Sequence, residues 1–190
     1  MNEITLDEVF RNIIDVLEDQ HLTYLVIGGV AAGIIGEARA TQDIDILISI
    51  KDKDFPKFLK TAEAKGFKFD VAKIKETKAM QGMFRFMYGP LRIDFIIGLM
   101  PFEESAFSRH LKIKLYDKTT SFPTPEDLIL FKLLAGREKD IFDIKGLLIR
   151  HKGKLDLVYM KKWAPIIDED LQTHRISKTL NQLLNSVYNK

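Results

Sequence analysis

Cysteine is absent from this chain, and histidine and tryptophan are scarce. Its 190 residues include no cysteine, one tryptophan and four histidines. Without cysteine the protein cannot form a disulfide, a thiolate zinc site or a covalent intermediate on a cysteine thiolate. The histidines are scattered along the chain and lack the spacing of metal ligands. The absence of cysteine suits a reducing compartment such as the cytosol.

Long apolar runs and a strong net charge are also missing. No apolar run reaches the roughly 20 residues that a membrane-spanning helix needs. The segment MNEITLDEVF contains acidic residues and no long apolar core, so we expect no secretory signal. The net charge of +2 gives no overall basic field that would indicate a nucleic-acid-binding protein. We expect a cytoplasmic globular protein of one domain, or one domain with a smaller appendage.

The most informative feature is a pair of aspartates one residue apart, Asp43 and Asp45. Alternating apolar residues around them predict a strand over 41–50. Residues i and i+2 of a strand point to the same face, so the two carboxylates lie side by side while Ile44, Ile46 and Ile48 face the core. Two like charges held this close repel each other, which favours a bound cation or a shared proton. A magnesium site is the simplest explanation.

A third carboxylate follows the same logic. The segment 91–97 predicts another strand, in which alternate apolar residues define the core face and Asp94 lies on the opposite face. If this strand pairs beside the first, three carboxylates converge at one sheet edge. Hard oxygen ligands suit Mg²⁺. Two such ions roughly 3.5–4 Å apart form the usual clamp for in-line displacement at phosphorus.

A glycine pair precedes the acidic strand. Gly28 and Gly29 follow a strand predicted over 24–27 and turn the chain into a short helix over 30–35. One interpretation is a strand-to-helix turn with no ligand. The other is that the missing side chains let phosphates approach backbone N–H groups at the helix N-terminus. The aspartate pair that follows favours the phosphate interpretation.

The remaining pattern predicts an α/β portion over 1–121 and an all-helical portion over 122–190. Helices are expected over 5–19 and 54–65, and a loop over 73–78. Further strands are expected over 67–71, 83–88, 91–97 and 111–116. Thr124, Pro125 and the two acids after them form a strong helix start. The fold class is therefore α+β, a sheet flanked by helices and followed by a helical C-terminal portion.

These motifs together resemble the nucleotidyltransferase superfamily, whose fold is shared with DNA polymerase β. Its signature is an apolar residue, two small residues, a spacer, Asp-apolar-Asp, and a third Asp on a later strand. Here Ile27-Gly28-Gly29, Asp43-Ile44-Asp45 and Asp94 match it. The segment 39–43 is similar to the Arg-x-Thr-x-Asp form of a small bacterial branch. That branch includes abortive-infection type toxins and aminoglycoside or lincosamide nucleotidyltransferases.

The second half of the chain adds to the resemblance. Lys132, followed by Arg137, Lys139, Asp140 and Asp143, is similar to the Lys…Arg-x-Lys-Asp-x-x-Asp element of the toxin-like branch. The resemblance implies a polymerase-β-like mixed sheet and covers about residues 24–149. The chain departs from many relatives by lacking a Ser or Thr directly after the glycine pair, so phosphate contacts there must come from backbone N–H groups.

By resemblance, Asp43, Asp45 and Asp94 are the catalytic and metal-binding residues. The candidate nucleotide-binding residues are Gly28, Gly29, Arg39, Thr41, Lys132 and Arg137. Lys132 lies in an apolar helical stripe, where its ammonium either reaches the triphosphate or extends to solvent. The charged group around Arg137 is equally compatible with a surface ion-pair cluster. Arg39 either contacts a phosphate or is an ordinary surface charge.

The implied reaction moves a nucleoside monophosphate from an NTP, ATP among them, to an acceptor hydroxyl and releases pyrophosphate. Two Mg²⁺ ions, or Mn²⁺ in their place, are the expected cofactors. The acceptor is a tRNA end, a protein or a small molecule, and a membrane partner is not expected. The alternative is a weakly catalytic or regulatory binding module that pairs with a cognate toxin or antitoxin. Three converging acids argue against a purely binding role.

Overall fold

The computed structural model describes residues 4–37 and 40–188. Helices and strands are interspersed up to residue 122, and the described elements after it are all helices. The strands are β1 (Thr23–Ile27), β2 (Asp43–Ser49), β3 (Met83–Tyr88), β4 (Leu91–Ile97), β5 (Leu111–Leu115) and β6 (Lys118–Phe122). The first five helices are α1 (Leu6–Glu18), α2 (Gly28–Ile35), α3 (Phe55–Ala64), α4 (Val71–Gln81) and α5 (Pro101–Ser108). The last four are α6 (Pro125–Ala135), α7 (Glu138–Arg150), α8 (Leu157–Asp170) and α9 (Arg175–Tyr188).

The main sheet is mixed, with strand order β1-β2-β4-β3. Strand β2 pairs antiparallel with β1 and parallel with β4, and β4 pairs antiparallel with β3. Strands β5 and β6 form a separate antiparallel hairpin. The predicted α+β class with a mixed sheet and flanking helices is confirmed, as is the pairing of the two acidic strands.

Strand alternation gives the sheet two different faces. One face is apolar: Ile44 and Ile46 of β2 are buried together with Ile93 and Phe95 of β4, in the main hydrophobic core. Aromatic rings form part of this core, and Phe84 stacks on Phe95 with ring centroids 4.6 Å apart. The opposite face carries the aspartates. It also carries a smaller buried cluster that includes Leu25, Ile27, Leu47 and Ala106.

The helical half begins as the sequence predicts. The Thr124 hydroxyl accepts a hydrogen bond from the backbone N–H of Asp127, and Pro125 opens α6. Buried residues of α6 to α9 belong to the same hydrophobic cluster as those of the sheet. The expected boundary at 121/122 falls inside β6, whose residues pair with β5. Among the described residues, no helix is long and apolar enough to cross a membrane.

Two predictions between β2 and β4 are wrong. The expected loop over 73–78 lies inside α4, and the expected strand over 67–71 is reduced to a single bridge between Lys68 and Met87. Capping residues set the boundaries of helix α4. The Asp70 carboxylate caps its N-terminus, and Gly82 ends it in the left-handed conformation. Only Ile74 of α4 is buried, which explains the weak apolar pattern. Helix α5 and strand β6 were not predicted.

Candidate active site

The three aspartates lie on neighbouring strands of the main sheet. Asp43 and Asp45 are on β2, and the parallel register places Asp45 directly opposite Asp94 and Asp43 opposite Arg92. All three side chains are half-buried on the face opposite the aromatic core. The juxtaposition expected from strand alternation is therefore present in the structure.

Two arginines and a threonine contact the outer two carboxylates. Arg85, the β3 partner of Asp94, donates from both Nε and Nη2 to its two oxygens, with 3.0 Å between Nη2 and Oδ2. Arg92 Nη2 lies 3.2 Å from Asp43 Oδ2. The Thr41 hydroxyl donates to Asp43 Oδ1 at 2.7 Å. Asp43 and Asp94 are thus neutralised by neighbours, whereas Asp45 lies between them.

The electrostatics differ between Asp45 and Asp43. Burial, followed by the negative charges of Asp43 and Asp94, raises the pKa of Asp45, although the Gly29 N–H and the charge of Arg137 oppose the shift. Burial would also raise the pKa of Asp43. There the Thr41 hydroxyl and the charges of Arg92 and Lys139 outweigh it, and the pKa of Asp43 is lowered. Asp45 is the carboxylate with the most to gain from a bound cation.

The glycine pair lies against Asp45. Ile27 pairs with Asp45 across β1 and β2, so the next residue, Gly28, passes directly over the carboxylate. Gly28 has φ +66°, and a Cβ there would lie 1.8 Å from Asp45 Oδ2. Its glycine identity is therefore required both by the backbone and by the close approach to the acid.

We expect Gly28→Ala to lower stability and displace the Asp45 carboxylate. The left-handed backbone alone costs an alanine about 1–2 kcal/mol. The clash with Asp45 adds roughly 1–3 kcal/mol of overpacking. Gly153→Ala is a matched control, since Gly153 also has positive φ, +78°, but no atom lies within 4 Å of its added Cβ. Urea unfolding of both variants measures the difference, and equal losses would contradict the close approach.

Cationic groups at the start of α7 face the same site. The Arg137 guanidinium donates hydrogen bonds to the Asp140 carboxylate, and this contact raises the pKa of Arg137. Burial of Arg137 lowers its pKa, whereas the charges of Asp140, Asp45 and Asp43 raise it further. The charge of Lys139 acts on Asp43. Arg39 lies outside the described residues, so its predicted role remains a prediction.

Lys132 does not extend to solvent, which was one of the two positions expected for it. Its side chain is only 3% exposed, and its ammonium lies 2.6 Å from Asp143 Oδ2 and 3.4 Å from Asp140 Oδ1. Asp140 also receives the Arg137 guanidinium and the Arg137 backbone N–H. These four residues, which we call the α6–α7 charge cluster, link Lys132 through Asp140 to an arginine at the site. Phosphate binding by Lys132 itself stays a prediction.

The chemistry of the aspartates fits a hard cation. Asp45 is a partly buried carboxylate flanked by two others, with oxygen atoms of the type that Mg²⁺ prefers. Across residues 4–37 and 40–188, no group of three or more His, Cys, Asp or Glu side chains is already arranged around a metal position. Arg85 and Arg92 occupy oxygens of Asp94 and Asp43. The donors therefore suit the ion, provided these two arginines release them.

Arg85 and Arg92 were not singled out from the sequence, and Lys139 was named only as part of the charged motif. Arg92 could have been found, because it is two residues from Asp94 in the same strand and shares its face. Lys139 stands two residues after Arg137, within the charged motif. Arg85 carried no usable signal, since its contact with Asp94 depends on the register of β3 against β4.

Comparison with solved structures identifies the fold. The chain is similar to the lincosamide antibiotic adenylyltransferase LnuA in its lincomycin-bound form, with 21% identity over 77% of this chain and 98% of that one, and a TM-score of 0.54. It is also similar to ANT(2")-Ia in complex with adenylyl-2"-tobramycin, with 12% identity, coverage of 86% and 99%, and a TM-score of 0.62.

The solution structure of the antibiotic-resistance factor ANT(2")-Ia matches with 11% identity over 87% of this chain and 97% of that one, and a TM-score of 0.58. No family model and no curated protein matches the sequence. The chain has the fold of the nucleotidyltransferase superfamily, and the resemblance based on its motifs is confirmed at the level of fold.

Proposed function

We propose that this chain, which has a nucleotidyltransferase fold, transfers a nucleoside monophosphate from an NTP to an acceptor hydroxyl and releases pyrophosphate. The observation that carries the proposal is the register of Asp45 against Asp94, with Asp43 on the same face. A structural neighbour that is named an adenylyltransferase supports it. Mutual repulsion at Asp45 supports the need for a cation.

In this proposal Asp43, Asp45 and Asp94 hold the divalent cations, with Mg²⁺ as the expected ion. Bound Mg²⁺ supplies charge neutralisation for the triphosphate and lowers the pKa of the acceptor hydroxyl. Arg137 and Lys139 stabilise charge on the phosphates, and Arg137 is oriented by Asp140. Gly28 and Gly29 allow the phosphates to approach the backbone next to Asp45. Thr41 orients Asp43 by its hydrogen bond.

Asp94 has a separate role on the acceptor side. It lies on β4, between β2 and the edge strand β3, and Arg85 holds both of its oxygens. Release from Arg85 would free a carboxylate oxygen to accept the proton of the attacking hydroxyl. The remaining rate enhancement comes from positioning the hydroxyl in line with the α-phosphorus.

The alternative function is a catalytically weak binding module that acts as a toxin–antitoxin or regulatory partner. A thermal-shift experiment with NTP, with and without Mg²⁺, is the first test. The enzyme proposal predicts a melting temperature that rises with NTP and Mg²⁺ together and much less with either alone. No shift under any combination would contradict nucleotide binding and with it the proposed reaction.

We expect Asp94→Ala to lower turnover far more than NTP affinity. The triphosphate rests chiefly on the cations held by Asp43 and Asp45, whereas Asp94 serves the acceptor side. The measurement compares kcat with the NTP dissociation constant in parent and variant. If both change by the same factor, this division of roles is wrong. Asp117→Asn is the control, since Asp117 pairs with Lys114 at the exposed hairpin turn.

A further inference from the structure

A pocket of about 470 Å³ opens beside Asp94, between helix α4 and the edge strand β3. Its volume suits a compound of nucleoside size. Apolar atoms of Phe69, Ile74 and Met87 form part of its wall, and Arg85 and Asp94 lie at one side. The pocket therefore includes the acceptor-side carboxylate, whereas the glycine pair is not part of its lining.

The charges that line this pocket leave an excess of free ammonium groups. Asp94 is held by Arg85, and the Asp70 carboxylate caps α4 by accepting from the N–H groups of Ala72 and Lys73. Lys68 and Lys73 also line the pocket, and both are exposed. In the part of the chain that the structure describes, neither ammonium has an ion-pair partner. The two lysines are thus available to an anion.

Other lysines of the same helix differ from Lys73. Lys78 pairs with Asp52 and lies over the Phe55 ring, 5.0 Å from its centroid. Lys75 is exposed and does not line the pocket. Among the described lysines of α4, Lys73 is therefore the one that both lines the pocket and has no ion-pair partner.

We infer that the acceptor is a hydroxyl compound carrying a phosphate group, which binds to Lys68 and Lys73 while its hydroxyl faces Asp94. This inference rests on the proposed function and names its substrate class. A flat apolar group next to the phosphate would pack on Phe69 and Met87. A polycationic aminoglycoside such as tobramycin would be repelled by the two ammonium groups, so the acceptor class differs from that of the structural neighbour.

The corresponding transfer balances without a further reactant beyond NTP. The acceptor oxygen forms a bond to the α-phosphorus, and the bond from that phosphorus to the oxygen bridging to the β-phosphate breaks. The electron pair leaves with pyrophosphate, and the hydroxyl proton passes to an Asp94 oxygen and then to water. The acceptor keeps its own phosphate, which only anchors it.

The experiment is a calorimetric titration with EDTA and without NTP, so that no transfer is needed. The probes are adenosine monophosphate, the single-stranded triadenylate ApApA, and tobramycin. The variants are Lys68→Met/Lys73→Met, the charge-preserving Lys68→Arg/Lys73→Arg, and Lys75→Met as the matched control. Melting temperatures of all variants confirm that the exposed substitutions leave the fold intact.

We expect at least one phosphate probe to bind the parent and to bind the double methionine variant roughly tenfold or more weakly. The arginine variant and Lys75→Met should bind as the parent does, and tobramycin should not bind. Tighter binding of adenosine monophosphate would identify a small organic phosphate, and tighter binding of ApApA a polynucleotide end. Rising salt should weaken either.

Unchanged binding in the double methionine variant, no binding of either phosphate probe, or preferential binding of tobramycin would each overturn the inference. Because these titrations contain neither NTP nor metal, they are independent of the transfer reaction. Pyrophosphate release that persists while the phosphate probes fail to bind would refute the acceptor class alone.

Discussion

Asp45→Asn is expected to abolish nucleotide transfer without lowering the stability of the metal-free protein. Asp45 lies between Asp43 and Asp94 and contributes the central oxygen ligand of the proposed site. Loss of a charged ligand costs several kcal/mol of transition-state stabilisation, so the rate should fall about a thousandfold or more. The Asn oxygen can still accept the Gly29 N–H, while the repulsion among three carboxylates is relieved.

Two measurements check this expectation. Initial rates at saturating Mg²⁺ and NTP give the loss of activity, and thermal unfolding with EDTA gives stability. The melting temperature of Asp45→Asn should equal or exceed that of the parent, because an acid with a raised folded-state pKa opposes folding once it is ionised. Rates equal to those of the parent would remove Asp45 from catalysis. Asp117→Asn is again the surface control.

Lys132→Met is expected to cause the largest loss of stability among the substitutions considered. The ammonium is buried between Asp140 and Asp143, whose side chains are 0% and 7% exposed. Removing one partner from a buried charge cluster typically costs about 3–5 kcal/mol. For a chain of this length, that loss lowers the melting temperature by roughly 10 °C or more. A lysine that only extended to solvent would give a neutral result.

Matched variants separate the cluster from a loss of packing. Lys145→Met changes an exposed lysine of α7 and should be neutral. Lys132→Met/Asp143→Leu removes opposite charges together and should recover part of the loss, because an apolar pair can replace a buried ion pair. A double variant less stable than Lys132→Met alone would contradict the assignment.

The same protein decides whether Lys132 also binds phosphate. Calorimetric titration with NTP and Mg²⁺ is carried out below the melting temperature of the variant. Loss of a charge-assisted contact to phosphate would weaken binding by about ten- to a hundredfold. If stability is unchanged and affinity falls by that factor, Lys132 serves the triphosphate rather than the α6–α7 charge cluster.

The carboxylate site could be predicted because strand alternation determines which residues share a face. Spacing alone placed Asp43 and Asp45 together and Asp94 on the polar face of its own strand. Their meeting requires β2 and β4 to be parallel neighbours, which no local pattern shows. The pairing was therefore a condition of the prediction, and the resemblance to a known superfamily favoured it. Arg85 escaped prediction for the same reason, since it depends on register.

A helix whose boundaries depend on capping residues was harder to predict than a helix with a repeating apolar face. Helix α1 was predicted because apolar residues repeat along one face and are buried there. Helix α4 buries only Ile74, and its boundaries depend on the Asp70 cap and on Gly82. The surroundings of Lys132 could not be predicted from a local pattern either. They are formed by packing α6 against α7, which brings residues of two helices together.

Transfer of a nucleoside monophosphate can be measured by following label from the α-phosphate of an NTP. Parent protein and Asp45→Asn are each incubated with α-labelled NTPs, Mg²⁺ and a cell extract that contains small molecules, RNA and protein. We expect covalent label in one fraction, an equal amount of pyrophosphate, and dependence on both Mg²⁺ and Asp45. Label that persists with Asp45→Asn, or no label from any of the four NTPs, would contradict it.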